Sequence, residues 1–330
     1  MKIKNNIKLS AIVPVYNTAP FLRDCLDSLL YGISPDTEIL IIDDGSTDES
    51  PKICDEYACN YQQIRVFHQQ NAGQSAARNI GLKNANGSFL IFVDSDDFVS
   101  MPRVNHVVAI MEETHADMAI TDYRFVKSVM RFSKKEMNGA NEELVQIIGV
   151  SDYLKNIQKH NMMVWNKVYR REVVKDIFYP VGAIYEDVYY IHRVLMRINK
   201  LLYIPTCTYY YRAQREGNTV CSFGLNRLKG YPYLDEFGEY VFQKYGKEEY
   251  KSVALYIADF FQGQYYECHL LLGDKKIMAY ILSMYRKYIR ETPFHLFPLY
   301  RFVFRVSPRL YAFIRTLIPQ HYSLILFISA

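Results

Sequence analysis

Phe89-Leu90-Ile91-Phe92-Val93-Asp94-Ser95-Asp96-Asp97 is the stretch on which the reading of this chain turns. An apolar, strand-like run stops at a cluster of carboxylates. The same design occurs earlier, where Glu38-Ile39-Leu40-Ile41-Ile42 runs into Asp43-Asp44-Gly45-Ser46. Carboxylates crowded at the carboxyl end of a strand repel one another. A divalent cation or a polar ligand is the usual relief.

Working outward from these two runs, strands and helices alternate. Residues 9–15 are apolar and end at Tyr16-Asn17. Phe21, Leu22, Leu26, Leu29 and Leu30 recur at a helical period over 20–30. Further strands are predicted at 64–67 and 118–121, and further helices at 75–85 and 102–114. Ser46-Thr47-Asp48-Glu49 reads as a capping box with Ser46 as N-cap, opening a helix to about Ala58. This order predicts an α/β fold, a Rossmann-like and mostly parallel sheet with helices on both faces. Such sheets bind ligands at the carboxyl ends of their strands, near a topological switch point. Tyr16, Asp43, Asp44 and Asp94 to Asp97 are therefore expected on one rim.

The first strand lacks the G-x-G-x-x-G turn of dinucleotide binders, and no Walker-type loop occurs. None of the six cysteines forms a C-x-x-C pair, and no histidine pair has zinc-ligand spacing. The ligand is thus expected to be held through carboxylates and metal. On an extended segment, Asp94 and Asp96 point the same way and can share one polar target. Met1-Lys2-Ile3-Lys4-Asn5-Asn6 is followed by no long apolar core, so no secretory signal is predicted and a reducing cytoplasm is the expected compartment.

Val13-Pro14-Val15-Tyr16-Asn17, Ile42-Asp43-Asp44-Gly45-Ser46-Thr47-Asp48, Asn71-Ala72-Gly73-Gln74-Ser75-Ala76-Ala77-Arg78-Asn79 and Asp94-Ser95-Asp96-Asp97 resemble, in order and spacing, the family 2 glycosyltransferases of the GT-A fold. Glu186-Asp187 resembles the later acidic pair of that family. The resemblance implies an inverting sugar transferase using a nucleotide-diphosphate sugar, most often UDP-linked, and a divalent metal, Mn2+ or Mg2+. It implies donor contacts from Pro14, Tyr16, Asn17, Asp43, Asp44, Arg78, Asp94, Ser95 and Asp96. In it, Tyr16 lies beside the base, Asp44 accepts a hydrogen bond from the base, and Asp43 serves the ribose or caps the turn. Arg78 bonds the base or steadies Asp44. Asp96 touches the metal, with Asp94 nearer the ribose. Asp187 is implied as the base that takes the acceptor proton, with Glu186 beside it.

Between 123 and 216 the match thins. There Trp165 either stacks on an acceptor sugar or belongs to the core. Lys167 or Arg212 would hold phosphate, or Lys167 is a surface charge. The Q-x-x-R-W string of processive members is absent, which favours addition of a single sugar. A different class, a catalytically idle nucleotide-sugar-binding assembly subunit, shares the binding motifs and is separated by whether nucleotide is released. A nucleotidyltransferase would need a basic glycine-rich loop where Pro14-Val15-Tyr16-Asn17 stands.

The expected domains are a catalytic one over 1–216, with a nucleotide-binding half at 1–122 and an acceptor half at 123–216, and a helical region over 217–330. The chain carries +4 overall, yet Lys275–Ala330 holds nine Lys and Arg against a single acid, Glu291. That leaves +8 in this segment and −4 in the rest. Its Arg286, Lys287, Arg290, Arg305 and Arg309 alternate with Tyr288, Phe294, Phe297, Phe304 and Tyr311. Basic, aromatic helices lie in the interface of anionic membranes. The uncharged stretch 316–330 is short for a span of ~20 residues. The protein is therefore expected as a peripheral one on the inner face of the cell membrane, with a lipid-linked oligosaccharide as acceptor. The alternative is a helical subdomain packed on the catalytic domain or on a second copy. No nucleic acid is expected, because no binding module accompanies the charge.

Overall fold

The computed structural model describes residues 7–127, 131–134, 144–212, 225–290 and 299–317. The chain groups into two compact units, Met1–Val150 with Met162–Gly217, and Ser151–Asn161 with Asn218–Ala330.

In the first unit, the apolar run at its start forms β1 (Leu9–Val15), buried along its whole length. A strand apolar on both faces needs cover on both, which crossover helices supply. β2 (Thr37–Asp43), β3 (Ile64–His68) and β4 (Phe89–Phe92) join it in parallel, in the order β3-β2-β1-β4. Helices α1 (Ala19–Leu30), α2 (Ser50–Asn60) and α3 (Gln74–Asn84) connect these strands, and α4 (Met101–Glu113) follows. α1 turns Leu22, Cys25, Leu26 and Leu29 into the core at helical spacing. Gly81 lets α3 settle on the sheet, since a Cβ there would lie 2.3 Å from Ile12 Cγ2.

Register fixes the rim. Val15 pairs with Asp43, Asp43 with His68, and Ile12 with Phe92. Each chain leaves its strand at the same edge of the sheet. The chain moves from β1 out to β2 and β3, then returns to β4 on the other side, so the switch point lies between β1 and β4. Beyond β4 the sheet is mixed. β8 (Lys167–Arg170) runs antiparallel to β4 and to β6 (Met118–Val126). β9 (Leu201–Arg212) lies parallel to β6, and β5 (Phe98–Val99) and β7 (Gln146–Ile148) pair with it antiparallel.

The capping box at 46–49 does not form. α2 starts at Ser50, and Glu49 makes no side-chain cap. Ser46 Oγ instead accepts the Asn17 N–H at 3.0 Å, and Asp48 takes the N–H groups of Ser50 and Ala19. The segment is committed to tying the β1 and β2 loops together. Pro51, in the first turn, was the better marker of the helix start.

The second unit is helical: Tyr231–Tyr245, Lys247–Leu271, Lys275–Ile289, Leu299–Val306 and Pro308–Leu317. Asp274 caps the third of these, accepting from the N–H groups of Lys276 and Ile277. Its core holds Tyr231, Phe261, Tyr285, Tyr288 and Phe304. The aromatic half of the basic, aromatic stripe is thus partly internal. Phe304 meets Tyr285 and Tyr311 at ring distances of 4.6 and 5.0 Å, while Arg286, Lys287, Arg290, Arg305 and Arg309 stay exposed. Phe294, Phe297 and 318–330 lie outside the described residues. Among the described residues no helix is long and apolar enough to cross a membrane.

Candidate active site

Two loops shape the side of the rim nearest β2. Tyr16, the first residue past β1, leaves its ring 49% exposed. Pro14 is buried within β1. Asn17 sits at φ 51°, a left-handed conformation that asparagine tolerates, and its Oδ1 accepts the Thr47 N–H at 2.8 Å. Asp43 accepts from the Ser46 N–H at 3.1 Å and lies 2.9 Å from His68 Nδ1. Hydrogen bonding to Asp43, then to Asp55, raises the His68 pKa above its ordinary 6.5. Asp44 is 2% exposed and holds the next loop. It accepts from Gln69 Nε2 and from the N–H groups of Ala72 and Gly73, the latter two at 2.8 Å. Gly45, at φ 71°, leaves room for this loop, since a Cβ would lie 2.7 Å from the Asn71 nitrogen.

The Asp94–Asp97 turn is pinned from β9. Tyr209 accepts the Asp94 N–H at 3.1 Å and donates its hydroxyl to Asp97 Oδ2 at 2.7 Å. Arg212 donates its backbone N–H to Asp97 Oδ1 and its Nε to the Asp96 carbonyl, both at 2.7 Å. Thr18 Oγ1 donates to Ser95 Oγ at 2.9 Å, tying the turn to the start of α1. Burial, and then the charges of Asp96 and Asp94, drive the Asp97 carboxyl well above its ordinary range. The turn is thus a crowded anionic edge on a rigid support. Among the described residues no three His, Cys, Asp or Glu side chains converge to hold a metal ion. The donor set present, Asp94 and Asp96 on one turn, suits a cation that completes its shell with phosphate oxygens and water.

Arg78 joins this turn to the later acidic pair. It projects from α3, is 2% exposed, and donates to Asp94 at 3.1 Å, to Glu186 at 3.0 Å and to Asp187 at 2.9 Å. Its guanidinium carbon lies 5.2 Å from the centre of the Tyr179 ring. Glu186 and Asp187 open the helix Glu186–Leu195, where the positive end of the helix dipole favours carboxylates. Tyr185, before them, holds φ 65°, a strained value for a bulky residue. Burial outweighs the attraction of Arg78 and pushes the Asp187 carboxyl up to about 7. Its Oδ2 faces the Val164 N–H at 3.4 Å.

The structure corrects expectations for Arg78, Lys167 and Arg212, and decides between the two readings of Trp165. Arg78 does not steady Asp44; its partners are Asp94, Glu186 and Asp187, because α3 directs it toward the Asp94 side of the rim. Trp165 is 7% exposed and stacked on Tyr209 and Tyr211 at 4.5 and 5.6 Å, so it is a core residue. Lys167 is neither a surface charge nor aimed at phosphate. It is 1% exposed, donates to the Met163 carbonyl and to Asn166 Oδ1, and is lowered to about 7 by burial. Arg212, 1% exposed and stacked on Phe98, holds the Asp96–Asp97 turn rather than facing a ligand. Tyr209, Tyr179 and His68 were missed as parts of the site. The alternation in Tyr209-Tyr210-Tyr211-Arg212 was the available signal, since Tyr209 and Tyr211 share one face of a strand.

This geometry has known relatives. Residues 10–178 match the family described as Glycosyl transferase family 2. The chain belongs to that family. Glycosyltransferase GlyA of Streptococcus pneumoniae is 32% identical over 214 residues, 63% of this chain and 31% of GlyA. TarS of Staphylococcus aureus, a poly(ribitol-phosphate) beta-N-acetylglucosaminyltransferase, is 27% identical over 229 residues, 66% of this chain and 37% of TarS. The chain thus spans about a third of the length of these relatives. The crystal structure of TarS 1–349 with UDP-GlcNAc superposes with a TM-score of 0.68 at 22% identity, covering 87% of this chain and 82% of that one. A mannosyltransferase of Pyrobaculum calidifontis, in complex with GDP-Man and Mn2+, does so with a TM-score of 0.50 at 14% identity, covering 87% and 88%. The fold is therefore GT-A, a mixed α/β sheet with flanking helices, followed by a helical region.

Proposed function

We propose that this chain moves one sugar, with inversion, from a nucleotide-diphosphate sugar to a hydroxyl of a lipid-linked oligosaccharide during bacterial surface polysaccharide assembly. The single observation that carries this reading is the Arg78 bridge. One buried guanidinium holds Asp94 and the acidic pair Glu186-Asp187 together, which supports a leaving group and a proton acceptor on one rim. Family membership and the UDP-GlcNAc bound by TarS support a UDP-sugar as donor.

In this reading the exposed Tyr16 ring lies against the base, and the loop that Asp44 organises closes around it. Asp187 takes the proton from the acceptor hydroxyl as that oxygen bonds to the anomeric carbon. The bond from that carbon to the diphosphate oxygen breaks, and the nucleoside diphosphate departs with the electron pair. A carboxyl lifted to about 7 is a stronger base than an ordinary aspartate once deprotonated. Arg78 orients that carboxylate and Glu186. Arg212 and Tyr209 hold the donor turn still. A divalent cation at Asp96 with Asp94 would neutralise charge on the departing diphosphate; that the mannosyltransferase structure is a complex with Mn2+ supports a metal of this kind.

We place the transfer chemistry within 1–216 and assign 217–330 to contact with an anionic membrane surface, on the inner face of the cell membrane. The excess of basic residues after Lys275 supports that placement.

The test is release of nucleotide from a panel of UDP- and GDP-sugars with and without Mn2+, in the wild type and in Asp96→Asn. Metal-dependent release that Asp96→Asn abolishes is the expected result. No release from any donor, despite a thermal shift with one of them, would make the chain an idle nucleotide-sugar binder. Full turnover by Asp96→Asn in chelator-treated buffer would overturn the metal assignment.

A further inference from the structure

The membrane reading above leaves open which surface meets the lipid, and the helical unit offers a specific answer that rests on that reading. Helices Lys247–Leu271 and Lys275–Ile289 pack on each other across a short turn. At that turn Leu270, Leu271 and Leu272 are 48%, 49% and 45% exposed. Single exposed leucines are ordinary, but three in succession at the tip of a helical hairpin form an apolar point facing water. Gly273 and the exposed Asp274, whose carboxylate caps the next helix, follow, and then Lys275 and Lys276, both exposed.

Helix Lys275–Ile289 has no acidic residue. Its apolar face, Ile281, Met284, Tyr285, Tyr288 and Ile289, is buried in the unit's own core. That face is therefore taken and does not lie on a bilayer. The outward face is the basic one. Arg286, Lys287 and Arg290, with Ser283, line an open depression of about 460 Å³, and Lys287 shares its charge with Asp235 at 3.0 Å. Lys276 and Arg290 stand about 21 Å apart by the helical rise. A small anion cannot meet both ends, whereas a flat anionic surface can. A soluble polyanion would leave the leucines in water, whereas a bilayer accepts them into its acyl boundary.

We propose that the Leu270–Leu272 tip and the cationic face of Lys275–Ile289 form one docking surface for an anionic lipid bilayer. The leucines enter the acyl boundary, and Arg286, Lys287 and Arg290 meet headgroup phosphates. The leucines supply depth and the cations supply selectivity for charge.

The test is sedimentation of the full chain with vesicles of phosphatidylcholine alone and of phosphatidylcholine mixed with phosphatidylglycerol. The variants are Leu271→Ser/Leu272→Ser and Arg286→Gln/Lys287→Gln/Arg290→Gln. A third, Leu271→Trp, reports insertion against the buried Trp165. The charge variant is expected to lose binding to the anionic vesicles about a hundredfold, at roughly fivefold for each of its three cations. The leucine variant is expected to lose the binding that persists at high salt. Leu271→Trp emission is expected to shift to the blue with anionic vesicles only. All positions are exposed, so nucleotide release serves as the control for folding. If the charge variant weakens binding but Leu271→Trp shows no shift, the membrane reading survives and the tip assignment falls. If the wild type does not bind anionic vesicles, both fall. A leucine variant that turns a dimer into a monomer without changing sedimentation would show that a second copy covers the tip, and would also overturn the proposal.

Discussion

Two pairs of acidic neighbours, Asp43-Asp44 and Glu186-Asp187, share a rim and are held in opposite ways. Asp43 and Asp44 are bound mostly by backbone N–H groups of adjacent loops, with the half-exposed His68 ring beside Asp43. Glu186 and Asp187 are bound chiefly by one charged donor, Arg78, brought from a distant helix. The first arrangement spreads each carboxylate over short local bonds and fixes the backbone around it. The second concentrates several charges on one buried cation and leaves Asp187 lifted to about 7. In the function proposed above, the same residue types thus serve recognition on one side of the rim and proton transfer on the other. Which of the two a pair does is decided by the partner, not by the acid.

The sharpest way to break this contrast is Asp187→Asn. Loss of a general base is expected to lower turnover by roughly 10²–10⁴-fold with donor affinity nearly unchanged. Steady-state nucleotide release together with UDP titration reads both quantities, and retained turnover would remove Asp187 from its role. In the wild type the base works only when deprotonated. The rate is therefore expected to fall as pH drops below about 7 and to level off above it.

Arg78→Gln comes next. It removes the guanidinium that three carboxylates share, and breaking a buried ion pair from one side costs about 3–5 kcal/mol. A large drop in melting temperature is expected. If the protein folds, the rate midpoint moves to higher pH, because the attraction that holds Asp187 down is gone. Arg78→Lys keeps the charge but not the fork, and is expected to fall between. A midpoint unmoved in Arg78→Gln would mean that the bridge is only structural.

Much of the first pair's setting was legible in the sequence, and little of the second's was. The β1 to β4 rim follows from apolar runs, helical periods and the rule that parallel strands present their ligands at one edge. Asp43, Asp44 and Asp94 are each adjacent to the strand that places them. Arg78, by contrast, meets residues more than a hundred positions away, and no local pattern encodes such a contact. The same holds for Lys167 and Arg212, whose burial reverses the role their charge suggests. Trp165 was ambiguous because an indole suits a core and a sugar platform equally; the tyrosines of β9 decide it. Ser46 misled because a valid capping pattern lost to the demands of two neighbouring loops.

A smaller effect should follow from Asp44→Ala. The N–H groups of Ala72 and Gly73 lose their acceptor, at about 1–3 kcal/mol if water does not replace it. In the proposed function the loop they belong to lies on the donor side. Weaker UDP binding is therefore expected, about tenfold, with the rate midpoint near 7 left in place. Calorimetric titration of UDP and a pH–rate profile on the same sample separate the two. A moved midpoint would show that the two pairs are coupled.

The weakest perturbation is His68→Gln, and it tests the Asp43 side by pH. His68 bridges Asp43 and Asp55 at 2.9 and 3.1 Å, and these partners raise its pKa above 6.5. A histidine raised in the folded state contributes stability that is fully present below its unfolded pKa. That contribution is lost as pH rises through the higher folded value. The ring is 44% exposed, so solvent screening keeps the effect within about 0–1 kcal/mol. The melting temperatures of wild type and His68→Gln are expected to differ at pH 5.5 to 6 and to converge near pH 8. A gap that instead widened with pH would mean that the neutral ring, not the charged one, is what Asp43 prefers. That result would make the Asp43 side as sensitive to protonation as the Asp187 side, and the contrast between the pairs would fail.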